Sequence, residues 1–337
     1  MNADAEIRGL AFTPKVDFMV RYLAENDVRQ VLTMPLALAA VERALKAHAE
    51  HRAIDVPRAR IHLPTGTQHV LQAAAPELGF IGFKYYYTRP TGKTFYVHLL
   101  NTGTAKLEAI IEAVWMSMVR TGAASGVATN RLAVPDASIV GQIGAGFQGI
   151  GQLEAICAVR KIRTARVFSR NRERLVAFCD SMSKRLGIEI APADSAEAAV
   201  RGAHIVNIIT KAVEPVLKGD WLEAGQHVNA AGSNALTRRE LDDIAIRKFH
   251  LITVDARGTA RNECGDLLPA VEKGLLQWES LAEIGEVIAG GAPGRASPQQ
   301  ITLYESHGMG IQDIYVGAKV LALARERGIG VDLPVGS

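Results

Sequence analysis

A short segment in the middle of the chain has the glycine spacing of a phosphate-binding turn. It reads Gly144-Ala145-Gly146-Phe147-Gln148-Gly149 and follows an apolar run. In the pattern GxGxxG, the first glycine permits a tight turn, the second lets the backbone approach a pyrophosphate, and the third allows a helix to pack closely on a strand. Free N–H groups at the helix start also favour an anion. We therefore predict that these six residues bind a dinucleotide; the alternative is a plain strand–helix connection.

Three side chains further along the chain indicate which dinucleotide is bound. Ser169, Arg170 and Arg172 follow the next apolar run. Enzymes that use NAD usually place an acidic residue near this point, where it binds the ribose 2′-hydroxyl. A planar guanidinium instead pairs well with phosphate oxygens. The sequence therefore predicts NADP(H) as the cofactor, unless the arginines belong only to a solvated helix start.

The elements around the glycine segment alternate between strand and helix. After Pro135, helical patterns separate apolar runs at residues 138–143, 165–169, 188–191, 204–209, 227–231 and 251–255. This alternation is typical of a doubly wound parallel sheet. The predicted fold class is α/β, with a Rossmann-type parallel sheet.

The first third of the chain has a different, α+β character. Residues 18–50 predict a strand and an amphipathic helix, and further strands are predicted at residues 59–63, 79–88 and 95–100. Helical spacing is predicted at residues 106–119 and again at residues 301–327, which we expect to pack back on the first region. These patterns predict a second, smaller domain beside the Rossmann-type one.

Composition excludes several classes of protein. The chain has 337 residues, of which 48% are hydrophobic and 22% charged, with a net charge of +3. No basic tract indicates nucleic acid, and no apolar run is long enough for a membrane. The N-terminus lacks a signal-peptide pattern, so a cytoplasmic location is expected. Cys157, Cys179 and Cys264 are far apart and lack a CxxC pair, which predicts neither disulfides nor a metal site.

Several separated stretches resemble the ornithine cyclodeaminase/mu-crystallin family. They follow the expected order over nearly the whole chain: Pro57-Arg58, Gly82-Phe83-Lys84, residues 120–126, the glycine segment, and residues 229–234, 281–287 and 308–313. The resemblance implies a homodimer with its active site between two domains. Residues 1–125 and 305–337 would form the substrate-binding and dimerisation domain, and residues 126–304 the NADP-binding Rossmann domain.

The resemblance also implies a substrate pocket made by Arg58, Lys84 and Arg120. Two guanidiniums can hold an α-carboxylate in bidentate fashion, while Lys84 supplies a proton or a hydrogen bond. Thr121, beside Arg120, is placed with the cofactor contacts. Three positive charges in one partly buried pocket would disfavour the protonated amine, so the pKa of Lys84 is expected below its usual value.

Three further residues are candidates for the pocket. Ornithine cyclodeaminases carry an Asp in a Gly-Gly-Asp segment, where this chain has Asn234, and an amide cannot accept the proton that a carboxylate would take. His307 either contacts substrate or cofactor or makes a structural hydrogen bond. Asp313 either orients Lys84 or caps a helix start.

Members of the family that lack the Asp of the Gly-Gly-Asp segment include ketimine reductases, so the resemblance implies NADPH-dependent reduction of a small α-imino acid, a carboxylate-bearing imine, to the amino acid. Two alternatives stay open. One is an ornithine cyclodeaminase or amino-acid dehydrogenase on the same scaffold, against which Asn234 weighs in its cyclodeaminase form. The other is an NADP-binding regulatory protein of low turnover, which would need none of Arg58, Lys84 and Arg120.

Overall fold

The computed structural model describes residues 16–336 and contains two β-sheets. Seven strands form the first sheet: β1 (Val16–Leu23), β2 (Ile54–Leu63), β3 (Gly66–Ala75), β4 (Phe80–Arg89), β5 (Gly92–Asn101), β6 (Leu107–Glu112) and β15 (Val331–Gly336). Their order is β15-β1-β6-β5-β4-β3-β2, and only the β1–β6 pair is parallel. β2 to β5 form a meander, in which each strand pairs with the next.

Helices cover one face of this first sheet. They are α1 (Glu25–Val31), which packs on β1 and β6, and α11 (Gly310–Glu326), which packs on β3, β4 and β5; α2 (Met34–Ala49) packs in turn on α11. Side chains alternate across a strand, so every second residue of β4 and β5 points to the helices. Leu71, Val97, Leu99 and Ile111 are fully buried there. This layer of helix and sheet holds the first hydrophobic core.

The second sheet has eight strands, all paired in parallel. They are β7 (Ile139–Ile143), β8 (Thr164–Phe168), β9 (Glu189–Pro192), β10 (Ile205–Ile208), β11 (His227–Ala230), β12 (Leu251–Val254), β13 (Ala282–Glu283) and β14 (Thr302–Glu305). The order is β13-β12-β14-β11-β10-β7-β8-β9. The chain winds outward in both directions from β7 and β10, so ligands are expected at the carboxyl ends of these two strands. The Rossmann-type sheet predicted from the sequence is confirmed.

The remaining helices connect and cover the parallel strands. They are α3 (Val114–Leu132), α4 (Phe147–Val159), α5 (Arg172–Leu186), α6 (Ala196–Val200), α7 (Asp243–Lys248), α8 (Arg257–Glu263), α9 (Leu268–Glu272) and α10 (Ile284–Ala289). Between residues 16 and 336, no helix is both long and apolar enough to cross a membrane.

The long helix α3 joins the two sheets and packs tightly on α4. A Cβ on Gly122 would stand 2.1 Å from the carbonyl oxygen of Gly151, and one on Gly151 would stand 2.5 Å from that of Met118. Only glycine permits this approach of two helix backbones. It fixes α3 against the helix that follows the glycine segment. The expected domain boundary between residues 125 and 126 falls inside α3, and that between 304 and 305 inside β14.

Two predicted helical stretches are wrong in part. Residues 107–112 form β6 and the helix begins only at Val114, because β6 is held between β1 and β5 and its side chains alternate between buried and half-buried. Residues 302–305 form β14, a central strand with all four residues buried, and helix α11 starts at Gly310. β3 and β15 were not predicted at all.

Candidate active site

Lys84 lies at the centre of the first sheet, on the face that meets α11. Its strand, β4, pairs it with Leu71 and Val97, and its side chain is only 1% exposed. The Nζ atom is 3.0 Å from Oδ1 and 2.9 Å from Oδ2 of Asp313, and 3.4 Å from Oγ of Ser117. The Nζ of Lys84 is therefore buried and faces the first turn of α11.

Asp313 also binds Arg120, which α3 brings from the opposite side. The Nε of Arg120 donates to Oδ1 of Asp313 at 3.0 Å, and its Nη1 donates to Oε1 of Gln312 at 3.0 Å. One carboxylate therefore joins the two cations that the sequence placed in the substrate pocket. Asp313 thus contacts Lys84, and this is the contact that one of its two predicted roles needs.

The pKa of Lys84 is lowered from its usual value of 10.5 to about 7. Burial, which disfavours the charged amine, is the main cause, and the nearby Arg120 guanidinium adds to it. The Asp313 carboxylate opposes both effects. An amine with a pKa near 7 can hold or release a proton at neutral pH, which is what general acid–base chemistry needs.

Arg58 approaches the same region from β2. Its Nη2 donates to the carbonyl oxygen of His307 at 2.8 Å, and its Nη1 lies 3.1 Å from Oε2 of Glu263. Within residues 16–336, its Nε has no hydrogen-bond partner. The guanidinium carbon of Arg58 and the Nζ of Lys84 lie 5.9 and 5.8 Å from the centre of the Tyr86 ring. Arg58 and Lys84 therefore share one buried environment.

The turn after β14 connects Arg58 with Arg120. Gly308 has a φ of +82°, and a Cβ added there would stand 2.6 Å from Nη1 of Arg120. Its carbonyl oxygen lies 3.4 Å from Nη2 of Arg58. Glycine is thus required both by the left-handed backbone and by the close approach of a guanidinium.

Asp255 holds this turn and was not predicted as a site residue. Its Oδ2 accepts from the backbone N–H groups of His307 at 2.7 Å and Gly308 at 2.6 Å, and its Oδ1 accepts from Nε2 of Gln312 at 3.3 Å. The hydroxyl of Tyr304 also donates to it. Asp255 directly follows β12, and an acidic residue at the carboxyl end of a parallel strand is the signal that could have identified it.

Asn234 and His307 have different surroundings from Lys84. The backbone oxygen of Asn234 accepts from Nη2 of Arg60 at 2.7 Å, while its side chain makes no hydrogen bond to the described part of the chain. His307 offers its backbone carbonyl to Arg58, and its buried ring points toward Cys264 and Glu305. The structure brings Arg58, Lys84, Arg120 and Asp313 together, but not these two side chains.

The glycine segment forms an open cradle after β7. Gly144 has a φ of +118°, and a Cβ there would stand 2.3 Å from the carbonyl oxygen of Ile209. Buried Gln142 donates to the carbonyl oxygen of Gly144 at 2.9 Å and holds the turn. A Cβ on Gly146 would meet no atom within 4 Å, and no side chain caps the helix that follows. This free helix start fits the pyrophosphate of a dinucleotide.

Ser169, Arg170 and Arg172 line a hollow of about 460 Å³ after β8. Arg172 lies 3.6 Å from Asp194, an ion pair on the surface, whereas Arg170 has no ion-pair partner in residues 16–336. The place of this hollow, after the second strand of the Rossmann-type unit, is where the adenosine end of a dinucleotide is expected. Thr121 lies one residue beyond Arg120 in α3, and its carbonyl oxygen is 3.5 Å from Nε2 of Gln152 in α4.

This chain is similar to known proteins over nearly its whole length. A delta(1)-pyrroline-2-carboxylate reductase of Bacillus cereus is 31% identical over 318 residues, which are 91% of this chain and 98% of the relative. The structure of the Thermococcus litoralis delta(1)-pyrroline-2-carboxylate reductase in complex with NADH and L-proline has a TM-score of 0.90 and 32% identity. It covers 93% of this chain and 100% of the other.

A second solved structure, an archaeal alanine dehydrogenase dimer with bound NAD, has a TM-score of 0.88 and 29% identity, and covers 94% of this chain and 99% of the other. The family model described as ornithine cyclodeaminase/mu-crystallin family matches residues 19–327. The two-sheet fold, the glycine cradle and the buried cluster of Lys84, Arg120 and Asp313 agree with that match. The chain belongs to the ornithine cyclodeaminase/mu-crystallin family.

Proposed function

We propose that this NAD(P)H-dependent imine reductase uses NADPH to convert a small α-imino acid to the amino acid. The observation that carries the proposal is the buried cluster of Lys84, Asp313, Arg120 and Arg58, beside a dinucleotide cradle. Simple nucleotide binding needs none of these four residues. When bound, the reduced nicotinamide supplies the hydride that adds to the imine carbon.

The two arginines bind and orient the substrate carboxylate. Arg120 has its Nε and Nη1 engaged with Asp313 and Gln312, whereas its Nη2 has no hydrogen-bond partner within residues 16–336. Arg58 has an unpaired Nε in the same buried region. Buried guanidiniums with free donors favour a carboxylate strongly, because the hydrogen bonds are charge-assisted. A fixed carboxylate leaves the adjacent C=N group in one orientation, and such positioning contributes much of the rate.

Lys84 supplies the proton that the reduction requires. The imine nitrogen must gain a proton as its carbon gains hydride, and the protonated Nζ of Lys84 is the donor. With a pKa of about 7 in the free enzyme, Lys84 is half protonated at neutral pH. The negative charge of the arriving carboxylate raises that fraction, and Asp313 keeps the amine in place.

The preference for NADPH rests on Arg170 and Arg172. A 2′-phosphate would occupy the hollow that these residues line and would meet the unpaired guanidinium of Arg170. It would also replace the contact of Arg172 with Asp194, whose side chain is 94% exposed. Exposed ion pairs are worth about 0–1 kcal/mol, so this exchange costs little.

Oxidation of NADPH against a panel of imines tests the proposal. The panel contains pyrroline-2-carboxylate, piperideine-2-carboxylate, iminosuccinate, and pyruvate or glyoxylate mixed with amines. We expect turnover of at least one of them with NADPH preferred over NADH, and no proline from ornithine and NAD⁺. Efficient proline formation would favour a cyclodeaminase, and ammonia-dependent turnover of a 2-oxo acid an amino-acid dehydrogenase. NADPH binding without turnover would favour a regulatory protein.

We also propose that the protein is a homodimer, with a cytoplasmic location as expected from the sequence. The face of the first sheet opposite the helices carries exposed aliphatic side chains, among them Ile54, Ile61, Leu63 and Ile81. Large exposed apolar patches mark interaction surfaces. We propose that a second copy of the chain covers this surface, because the similar alanine dehydrogenase is described as a dimer. Light scattering should give twice the mass of one chain, and Ile61→Asp should reduce it to one.

A further inference from the structure

Three buried side chains converge behind the turn that carries Gly308. The Sγ of Cys264, a carboxylate oxygen of Glu305 and a ring nitrogen of His307 all lie within 4.8 Å of one another. Cys264 directly follows α8, Glu305 ends β14, and His307 lies two residues later. All three are at most 4% exposed. The fold thus assembles a thiol, a carboxylate and an imidazole that the spacing of the cysteines gave no reason to expect.

Hydrogen bonding accounts for only one pair in this cluster, that of Glu305 with Cys264. Neither ring nitrogen of His307 has a partner within residues 16–336, and Oε1 of Glu305 has none either. The closest approach of the ring to the carboxylate, Nε2 to Oε2, is 3.9 Å, too long for a hydrogen bond. Buried polar atoms are nearly always paired in native proteins, so an imidazole without any hydrogen bond beside a thiol and a carboxylate indicates a missing ligand.

The charge around the cluster indicates that the ligand is a cation. The negative charges of Asp266, Glu240 and Asp255 all disfavour the ionised form of Glu305. Oδ2 of Asp266 is itself buried and has no hydrogen-bond partner in the described part of the chain. No lysine or arginine in the described part of the chain forms an ion pair with Glu305. Buried charges in proteins are paired or bind metals. A cation here would compensate an otherwise unbalanced group of acids.

We infer that Cys264, Glu305 and His307 bind one zinc ion. Thiolate, imidazole and carboxylate are the zinc donors, whereas magnesium and calcium prefer oxygen alone. Ligand atoms in a tetrahedral site lie about 3–4 Å apart, given metal–ligand distances of about 2.0–2.3 Å. The ligand atoms, which lie within 4.8 Å of one another, must approach by about 1 Å to satisfy that geometry. Three protein ligands leave the fourth position of a tetrahedral zinc ion to a water molecule.

The zinc site would stabilise the position of Arg58, which we propose to bind the substrate carboxylate. His307 provides a ring nitrogen to the metal and its carbonyl oxygen to Arg58. Its N–H and that of Gly308 are fixed by Asp255. Asp255 already holds this turn at two N–H groups, and metal binding at the His307 ring would hold it at a third point. The same turn contacts Arg58 and Arg120. This inference does not depend on which imine the enzyme reduces.

Titration of the chelator-treated, full-length protein with Co²⁺ tests the inference. A thiolate bound to Co²⁺ gives a charge-transfer band in the near ultraviolet. We expect this band to saturate at one Co²⁺ per chain, to disappear on addition of Zn²⁺, and to be absent in Cys264→Ser. The matched controls Cys157→Ser and Cys179→Ser should retain it, because those two cysteines lie outside the cluster.

A thermal unfolding measurement provides a second readout. Zn²⁺ should raise the Tm of the wild-type protein and of Cys157→Ser by several degrees, but not that of His307→Gln, since a ligand that binds only the folded state stabilises it. A wild-type protein without the band and without a Zn²⁺-dependent rise in Tm would overturn the inference, whether or not the variants fold. A band that persists in a folded Cys264→Ser protein would overturn it equally.

Discussion

Replacing Asp313 by Asn should shift the pH profile of kcat/KM toward acid pH. The Asp313 carboxylate, about 3 Å from the Lys84 ammonium, is the main group that opposes the lowering of that pKa by burial and by Arg120. A hydrogen bond to a charged group is worth about 1.5–3 kcal/mol, and each pKa unit corresponds to about 1.4 kcal/mol. Loss of the carboxylate should therefore lower the pKa of Lys84 from about 7 by a further one to two units.

The consequence for the rate follows from the protonated fraction of Lys84. At pH 7 that fraction is about one half in the wild-type protein, and it should fall to between about 1/10 and 1/100 in Asp313→Asn. We expect kcat/KM at pH 7 to decrease about 5- to 50-fold and to recover toward pH 5, because more Lys84 is protonated there.

Initial rates of NADPH oxidation between pH 5 and pH 9, at subsaturating imine, measure this effect. The conservative variant Asp313→Glu keeps the charge and should keep the alkaline limb near its wild-type position. NADPH affinity, measured by fluorescence, should be unchanged in both, because Asp313 does not contact the glycine cradle. An Asp313→Asn enzyme with the wild-type pH profile would refute the role assigned to Lys84 and its carboxylate partner.

Substitutions at Lys84, Arg170 and Gly308 test separate parts of the site. Lys84→Met should lower kcat/KM about 10²- to 10⁴-fold and remove the alkaline limb, and Lys84→Arg should not restore it, since a guanidinium keeps its proton; a near-normal kcat would mean that Lys84 is only a structural charge. Arg170→Ala should weaken NADPH binding more than tenfold and leave NADH binding unaffected. The control Arg174→Ala, which lies outside the hollow, should change the affinity for neither cofactor. An equal loss of affinity for both cofactors in Arg170→Ala would contradict a 2′-phosphate contact. Gly308→Ala should raise the KM for the imine by a larger factor than it lowers kcat. A positive φ costs an alanine about 1–3 kcal/mol, and its Cβ would displace the Arg120 guanidinium. An unchanged KM would exclude this turn from the carboxylate-binding site.

The Rossmann half was predictable because its determinants are local in the sequence. Strands such as β10 and β11, which are buried on both faces, appear as short apolar runs, and the glycine segment marks the turn after β7. The first sheet was harder. β3 has a half-buried, polar first half, and its partners β2 and β4 are what hold it extended. β15 exists only by pairing with β1, more than 300 residues earlier.

The candidate site was predictable only where side-chain type or family resemblance indicated it. Arg58, Lys84 and Arg120 came from the resemblance, and Asp313 was a candidate partner of Lys84 alone, whereas the structure pairs it with Arg120 as well. Asp255 was missed because its partners, the N–H groups of residues 307 and 308, are more than 50 positions away. The partner of Arg58, Glu263, is about 200 residues from it. No local pattern reports such contacts.

The position of α11 in the chain determines when the protein can become active during its synthesis. α11 covers β3, β4 and β5 and carries Asp313, yet it leaves the ribosome after both sheets have been made except for β15. Until then, an apolar face of the first sheet lacks part of its cover, and Lys84 lacks its carboxylate. The parallel sheet can form earlier, since β7 to β14 precede α11. A chain that stops short of residue 310 would therefore have a dinucleotide cradle without a completed proton donor, and an exposed surface of the kind that chaperones bind.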